Sequence, residues 1–272
     1  MNEKLNNLME GSKEENGIIL DVARDFQSKE EMQSFYSDYG FVCLKKFIPP
    51  DLIENIVNDL RFIFEPFATD KSNPIDSGIL NLDKNDKKLL HNLHIVSAKS
   101  SSIKLMSGFF RDIIREINGK DDPVFEIASG LLLGISRDDR LVYNFHQESN
   151  YMRGFTSIIN IHFPLLRTSK VQNGTMSILP RTHKLGTLEY EKQSRKSDAY
   201  TNLLPKNMNE IVADFPELHC YLEVGDAIFF HQDLIHKSNY NSSALCRLVG
   251  IQRLTQSISG DWRIRSPEEL LE

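Results

Sequence analysis

Apolar residues recur at helical spacing in the first half of the chain and in short β-prone runs in the second half. Ser28 and Glu31 stand in the S-x-x-E capping relation, Met32, Phe35 and Tyr36 mark one face, and Gly40 is placed to end a first short helix. F-V-C-L-K-K-F, from Phe41 to Phe47, predicts a strand. Pro49-Pro50-Asp51 then introduces a second helix carrying Leu52, Ile53, Ile56, Val57, Leu60 and Ile63. A stretch rich in Asp, Asn and Lys, from about Thr69 to Lys88, reads as irregular. Ile103, Met106, Phe110, Ile113, Ile114 and Ile117 predict one further helix, ended by Gly119.

From Val124 the pattern changes to β-prone runs separated by turns: E-I-A-S-G-L-L-L-G-I, R-L-V-Y-N-F-H, T-S-I-I-N-I-H-F, T-M-S-I-L-P, H-C-Y-L-E-V, A-I-F-F-H and A-L-C-R-L-V-G-I-Q-R-L. Helices followed by seven or more strands predict an α+β chain whose β half is a jelly roll or barrel braced by the N-terminal helices. One domain is expected, with a mobile tail over 1–17, helical support over 18–120, the β core over 121–257 and a C-terminal extension over 258–272. The long polar connection between the T-H-K of residues 182–184 and the strand near His219 is a lid candidate, as is the polar stretch 69–95.

Composition narrows the function classes. The chain of 272 residues carries a formal charge of -6 with acidic and basic residues interspersed, so it offers no stripe for nucleic acid or anionic lipid. Cys43, Cys220 and Cys246 lie far apart and form neither a disulfide framework nor a C-x-x-C zinc pattern, as expected of a protein in a reducing cytoplasm. The N-terminus lacks the basic start and apolar run of a signal peptide, and no stretch approaches a membrane span. The composition leaves oligomeric state open.

Among the eight histidines the informative context is H-Q-E. On a strand, positions two apart face one side, so His146 and Glu148 present an imidazole and a carboxylate to one point. Two histidines and one carboxylate on one face of an octahedral iron leave three open positions, enough for a chelating cosubstrate and dioxygen. F-F-H-Q-D-L-I-H offers both His231 and His236 as the third ligand. His231-Gln232-Asp233 also spells H-x-D, but its only downstream histidine is His236, too near in chain to come from a separate strand. His236 has Ser238 on its own strand face and Arg247 downstream, on the parity of Leu245, Val249 and Ile251. An arginine on an apolar face needs an anion, and its planar fork suits a carboxylate. A dicarboxylic cosubstrate supplies one.

With these residues the chain resembles the phytanoyl-CoA dioxygenase family of iron(II)/2-oxoglutarate oxygenases. The likeness begins at F-Y-S-D-Y-G-F-V-C-L-K-K-F-I-P-P-D-L-I and is more specific in H-Q-E, F-P-L-L, N-G-T-M-S-I-L-P-R-T-H-K-L-G and V-G-D-A-I-F-F-H-Q-D-L-I-H-K-S-N-Y-N-S-S. It implies a double-stranded β-helix of cupin-like form, with His146, Glu148 and His236 as iron ligands. It implies that Arg247 and Ser238 take the far carboxylate of 2-oxoglutarate and that His162 touches the cosubstrate. Asn160, Tyr143 and His231 are expected to line the site, and no catalytic residue is expected beyond the ligands. Most members carry aspartate where this chain has Glu148. Because related oxygenases with H-x-E are active, it reads as a variant ligand, and a small residue there would have suggested a halogenase.

The implied reaction is hydroxylation of an unactivated C–H bond of a small molecule, with release of succinate and carbon dioxide. The alternatives are desaturation, epimerisation or cyclisation at the same iron, or a barrel that binds metal and 2-oxoglutarate without turnover. Arg137, Arg140, Arg153 and Arg181 are candidates to meet an anionic substrate. His183 reads as a structural hydrogen-bonding residue, and His91, His94 and His219 as ordinary ones.

Overall fold

Two antiparallel ladders face each other, and helices cover the outer face of the larger one. The computed structural model describes residues 19–20, 25–140, 142–152, 154–155, 157–193 and 202–257. The expected tail (1–17) and C-terminal extension (258–272) lie outside the described residues.

Helix α1 (Lys29–Tyr39) begins where Ser28 Oγ accepts the Glu31 N–H at 3.1 Å. It ends at Gly40, whose φ of 82° is left-handed. A Cβ there would also run into the His183 ring. Strand β2 (Phe41–Leu44) and helix α2 (Pro50–Phe64) follow, and α2 buries Ile53, Ile56, Leu60 and Phe64 on one side.

The stretch read as irregular is largely helical: α3 spans Pro74–Asn85 and α4 spans Lys87–Ser97. Pro74 opens α3, Ile75, Ile79 and Leu82 are buried along it, and Asp86 caps α4 by accepting the Leu89 N–H at 2.9 Å. Surface Asp, Asn and Lys had diluted that apolar stripe. The single helix expected over 103–117 is two, α5 (Ser101–Phe109) and α6 (Arg111–Asn118). They break at Phe110, whose buried ring packs 5.7 Å from both Phe163 and Phe229.

The larger sheet has the order β2-β9-β4-β11-β3, with β3 at Phe125–Gly134, β4 at Ile158–Pro164, β9 at Ala227–His231 and β11 at Arg247–Thr255. The smaller has the order β1-β8-β5-β10, from Ile19–Leu20, Leu218–Cys220, Met176–Ile178 and His236–Ser238. All these pairings are antiparallel except that of β1 with β8. Among the described residues the ladders do not join into one closed barrel; the architecture is mixed helix and antiparallel sheet. The expected R-L-V-Y-N-F-H strand is absent. Val142 to Phe145 are irregular, and His146 makes only an isolated bridge to His236.

Side-chain alternation sorts the larger sheet into two faces. Val42, Ile159, Ile161, Phe163, Phe229, Leu248 and Leu254 join the helical residues in one apolar core. Phe41, Cys43, Ile228 and Phe230 on the other face pack with Met176, Ile178, Leu218 and Cys220 of the smaller sheet. The three cysteines are buried and free.

The connection after His183 is partly folded. It contains the hairpin of β6 (Tyr190–Gln193) and β7 (Asn202–Pro205), then helix α7 (Met208–Asp214), with 194–201 outside the described residues. No helix among the described residues is long and apolar enough to cross a membrane.

Candidate metal centre

His146 and His236 exchange backbone hydrogen bonds of 3.0 and 3.1 Å, which sets their side chains together at the edge of the smaller sheet. Glu148 is not on a strand with His146; it opens a single 3-10 turn, Glu148–Asn150. Gln147 holds this bend, its side-chain amide donating to Gly186 O and Asp233 O while its carbonyl accepts from Leu188 N. These bonds pin the turn to the backbone at Gly186, Leu188 and Asp233. The turn, rather than strand parity, brings Glu148 to the histidines.

The two imidazoles are oriented alike. His146 Nδ1 lies 2.7 Å from Asn144 O, and His236 Nδ1 lies 2.9 Å from Leu234 O. A carbonyl only accepts, so each Nδ1 donates and each neutral ring keeps its lone pair on Nε2. Both Nε2 atoms stand 3.7 Å from Glu148 Oε1, too far for a hydrogen bond and suited to three donors around one ion. One ligand atom from each residue lies within 4.8 Å of the others, and all three residues are buried. Carbonyl-anchored imidazoles facing a carboxylate fit a divalent transition metal of the imidazole-binding kind.

Burial alone would raise the Glu148 carboxyl, but Arg253 foremost, with His146 and His236, holds it well below the usual carboxylate range. Burial, followed by the neighbouring His146, lowers His236, and burial lowers His162 strongly. Glu148 therefore favours the ionised form and His236 the neutral form, the states in which each ligates metal.

A cavity of about 270 Å³ opens on this cluster and is lined also by Tyr143, Tyr151, His162, Ser238, Arg247 and Arg253. Arg247 is buried, and its Nε has no hydrogen-bond partner among the described residues. Burial pushes its guanidinium down to about 10. A cation left in that state calls for an anion in the cavity.

A family model described as phytanoyl-CoA dioxygenase matches residues 36–249. The chain belongs to the phytanoyl-CoA dioxygenase family. Its curated relatives include the peroxisomal phytanoyl-CoA dioxygenase of Mus musculus, 22% identical over 85% of this chain and 62% of the relative. The enzyme of Rattus norvegicus is also 22% identical, over 84% of this chain and 62% of its own length. The chain thus spans less than two thirds of these relatives. Among solved structures, EctD from S. alaskensis with bound Fe superposes with a TM-score of 0.58 at 13% identity, covering 94% of this chain and 85% of that one. The epimerase SnoN, in complex with Fe3+, alpha ketoglutarate and nogalamycin RO, gives a TM-score of 0.56 at 12% identity, covering 84% and 83%.

In this phytanoyl-CoA dioxygenase family member the cavity gathers His146, Glu148, His236, Arg247, Ser238, His162 and Tyr143. Two expected lining residues stand elsewhere. Asn160 is buried with its amide directed at Phe230 O, 3.4 Å away, and does not line the cavity. His231 accepts the Asp233 N–H at 3.1 Å and lines a separate hollow with Tyr36 and His183. His183 donates through Nε2 to Ser37 O, a structural bond. His94 meets Leu131 O, and His219 meets Ser177 Oγ.

Arg137, Arg140 and Arg181 do not line the cavity, and Arg140 pairs with Asp83 and Asp138. Arg153 lies outside the described residues. The stretch 69–95 contributes nothing to the cavity wall, because its apolar residues pack α3 and α4 into the helical core.

Sequence reasoning missed several lining residues, Tyr151 and the apolar Leu132, Met152, Met176 and Ile251 among them, and missed Arg253, which touches a candidate ligand. Arg253 makes a two-point ion pair with Glu148, Nε to Oε2 and Nη2 to Oε1, each 2.9 Å. Its parity with Arg247 and Ile251 on one strand was the available signal.

Proposed function

We propose that this chain is an iron(II)- and 2-oxoglutarate-dependent dioxygenase that hydroxylates an unactivated C–H bond of a small molecule, releasing succinate and carbon dioxide. His146, Glu148 and His236 would hold the iron. Arg247 and Ser238 would take the far carboxylate of 2-oxoglutarate, with His162 beside the cosubstrate. The observation that carries this reading is Arg247: a buried guanidinium with an unpartnered Nε shares one cavity with two imidazoles and a carboxylate at ligand spacing. A dicarboxylate that chelates a metal with one end and meets an arginine with the other satisfies both demands.

When bound, iron with 2-oxoglutarate and dioxygen supplies an oxidant strong enough to take hydrogen from an alkyl carbon. The chain's own part is to bind, orient and exclude water. Leu132, Met152, Met176 and Ile251 give the cavity apolar walls between the polar groups. Backbone carbonyls fix the histidine tautomers, and Arg253 fixes the carboxylate. The facing sheets fit a double-stranded β-helix, braced by the helices over 18–120.

Anaerobic addition of iron(II) and 2-oxoglutarate should give a weak visible charge-transfer band, and admission of oxygen should give succinate. H236A should lose both. A wild-type protein that gives neither band nor metal-dependent succinate, with H236A indistinguishable from it, would falsify the proposal. Product analysis then separates hydroxylation, which adds one oxygen, from desaturation, epimerisation or cyclisation.

A further inference from the structure

The two oxygens of Glu148 are not equivalent. Oε1 is the carboxylate oxygen nearer to both imidazoles, 3.7 Å from each Nε2. Oε2 is turned to Arg253 Nε at 2.9 Å, while Arg253 Nη2 braces Oε1 at 2.9 Å. The pair is enclosed, with Glu148 6% and Arg253 16% exposed at the side chain. The ladder between β11 and β3 shifts register directly after Arg253, with Ile127 of β3 the unpaired residue, while β11 keeps its register with β4, so Arg253 is held on a regular strand.

We infer that Arg253 is a positioning residue that engages Oε2, so that Glu148 offers a single oxygen, Oε1, to the metal. The inference rests on the proposed metal site and concerns what the longer ligand requires. Carboxylates bind cations through one oxygen or two, and glutamate has one more torsion than aspartate with which to turn its second oxygen inward. A second oxygen on the metal would take one of the positions a chelating cosubstrate and dioxygen need. The fork of a guanidinium restrains both oxygens of a carboxylate at once, which an ammonium does not. A role confined to neutralising buried charge would not depend on the length of the acid; the positioning role does.

The test uses the full chain without oxygen, with Mn(II) as the metal probe and 2-oxoglutarate as the ligand, followed by calorimetry. Wild type, R253M, E148D and R253M/E148D are compared, each checked by circular dichroism and thermal melting. R253M is expected to bind Mn(II) within about 10-fold of wild type but to lose about 10-fold or more in 2-oxoglutarate affinity, the scale of losses at groups that orient ligands. E148D placed on R253M should restore most of that affinity, since the shorter acid reaches with one oxygen only. Unchanged 2-oxoglutarate affinity in R253M overturns the inference. So does a loss that E148D leaves uncorrected, which would make Arg253 merely structural. If R253M does not fold, R253Q is read by the same criteria. A wild type that binds neither Mn(II) nor 2-oxoglutarate sinks the metal-site reading itself, whereas normal wild-type binding with an indifferent R253M sinks only the role of Arg253.

Discussion

Strand β11 carries two different kinds of burial on its two faces. Leu248 and Leu254 point into the helical core, where each apolar group meets others and Gln252 donates to Ile103 O at 2.8 Å. Arg247, Ile251 and Arg253 point into the cavity, beside His162 of β4. Leu248 is 3% exposed and Arg247 7%, so depth alone does not tell core from site. What differs is the charge of the group each face leaves incompletely paired. The helical face leaves one neutral amide oxygen, Gln252 Oε1, without a partner, while the cavity face leaves a cation incompletely paired, which calls for an anion from outside.

The largest effects should fall on opposite properties at adjacent residues. R247M is expected to weaken 2-oxoglutarate binding by about 100-fold, within the 2–5 kcal/mol or more typical of truncating one partner of a buried charge pair. The ligand-free protein should be as stable as wild type or more so, because an incompletely paired buried charge has been removed. Calorimetry and urea unfolding read the two quantities. A ligand-free loss of several kcal/mol would mean that the fold itself pairs Arg247. L248A should do the reverse, costing about 2–5 kcal/mol in unfolding free energy with cosubstrate affinity within a few-fold of wild type.

The sequence was most legible where one local rule decided. Ser28, Glu31 and Gly40 fixed α1 at both ends, and A-I-F-F-H coincides with β9. Short motifs likewise singled out the three residues that cluster in the cavity, and the parity of Arg247 pointed to an anion. The failures are non-local. Val142, Tyr143 and Phe145 have strand-forming side chains, yet Asn144 Oδ1 takes the Phe145 N–H and Gln147 ties the bend to Gly186 O and Asp233 O, so the stretch is irregular. Arg253 looked like the tail of a strand because its partner Glu148 lies 105 residues away. Helices α3 and α4 were hidden by a polar surface, since only one face of each meets the core.

Gly250, on the helical face between Leu248 and Gln252, gives an intermediate effect. A Cβ there would enter the Phe163 ring, and Phe163 is fully buried among the helices. G250A should therefore destabilise by about 1–3 kcal/mol, the usual range for overpacking. Iron and 2-oxoglutarate affinities should stay close to wild type. A selective loss of cosubstrate binding at full stability would show that strain crosses the sheet and that the two faces are not independent.

The smallest expected effect is a difference in acid sensitivity of the metal-free protein. Burial holds His162 and His236 below the usual histidine range in the folded state, whereas the unfolded chain protonates them near about 6.5. The unfolded state thus takes up protons first as pH falls. The stability from keeping these rings neutral is present above about 6.5 and is lost as pH drops toward their folded values, by at most about 1.4 kcal/mol per pH unit for each ring. Glu148 acts in the same direction at lower pH, since its carboxyl is also depressed. His94, against Leu131 O on the helical side, is lowered by burial too and adds its own slope. Urea unfolding between pH 7 and 5 should therefore show H162Q with a flatter decline than wild type, and H94Q likewise. H162Q with the wild-type slope would mean that water reaches His162 and lets it titrate normally, placing that part of the cavity nearer the surface than the core.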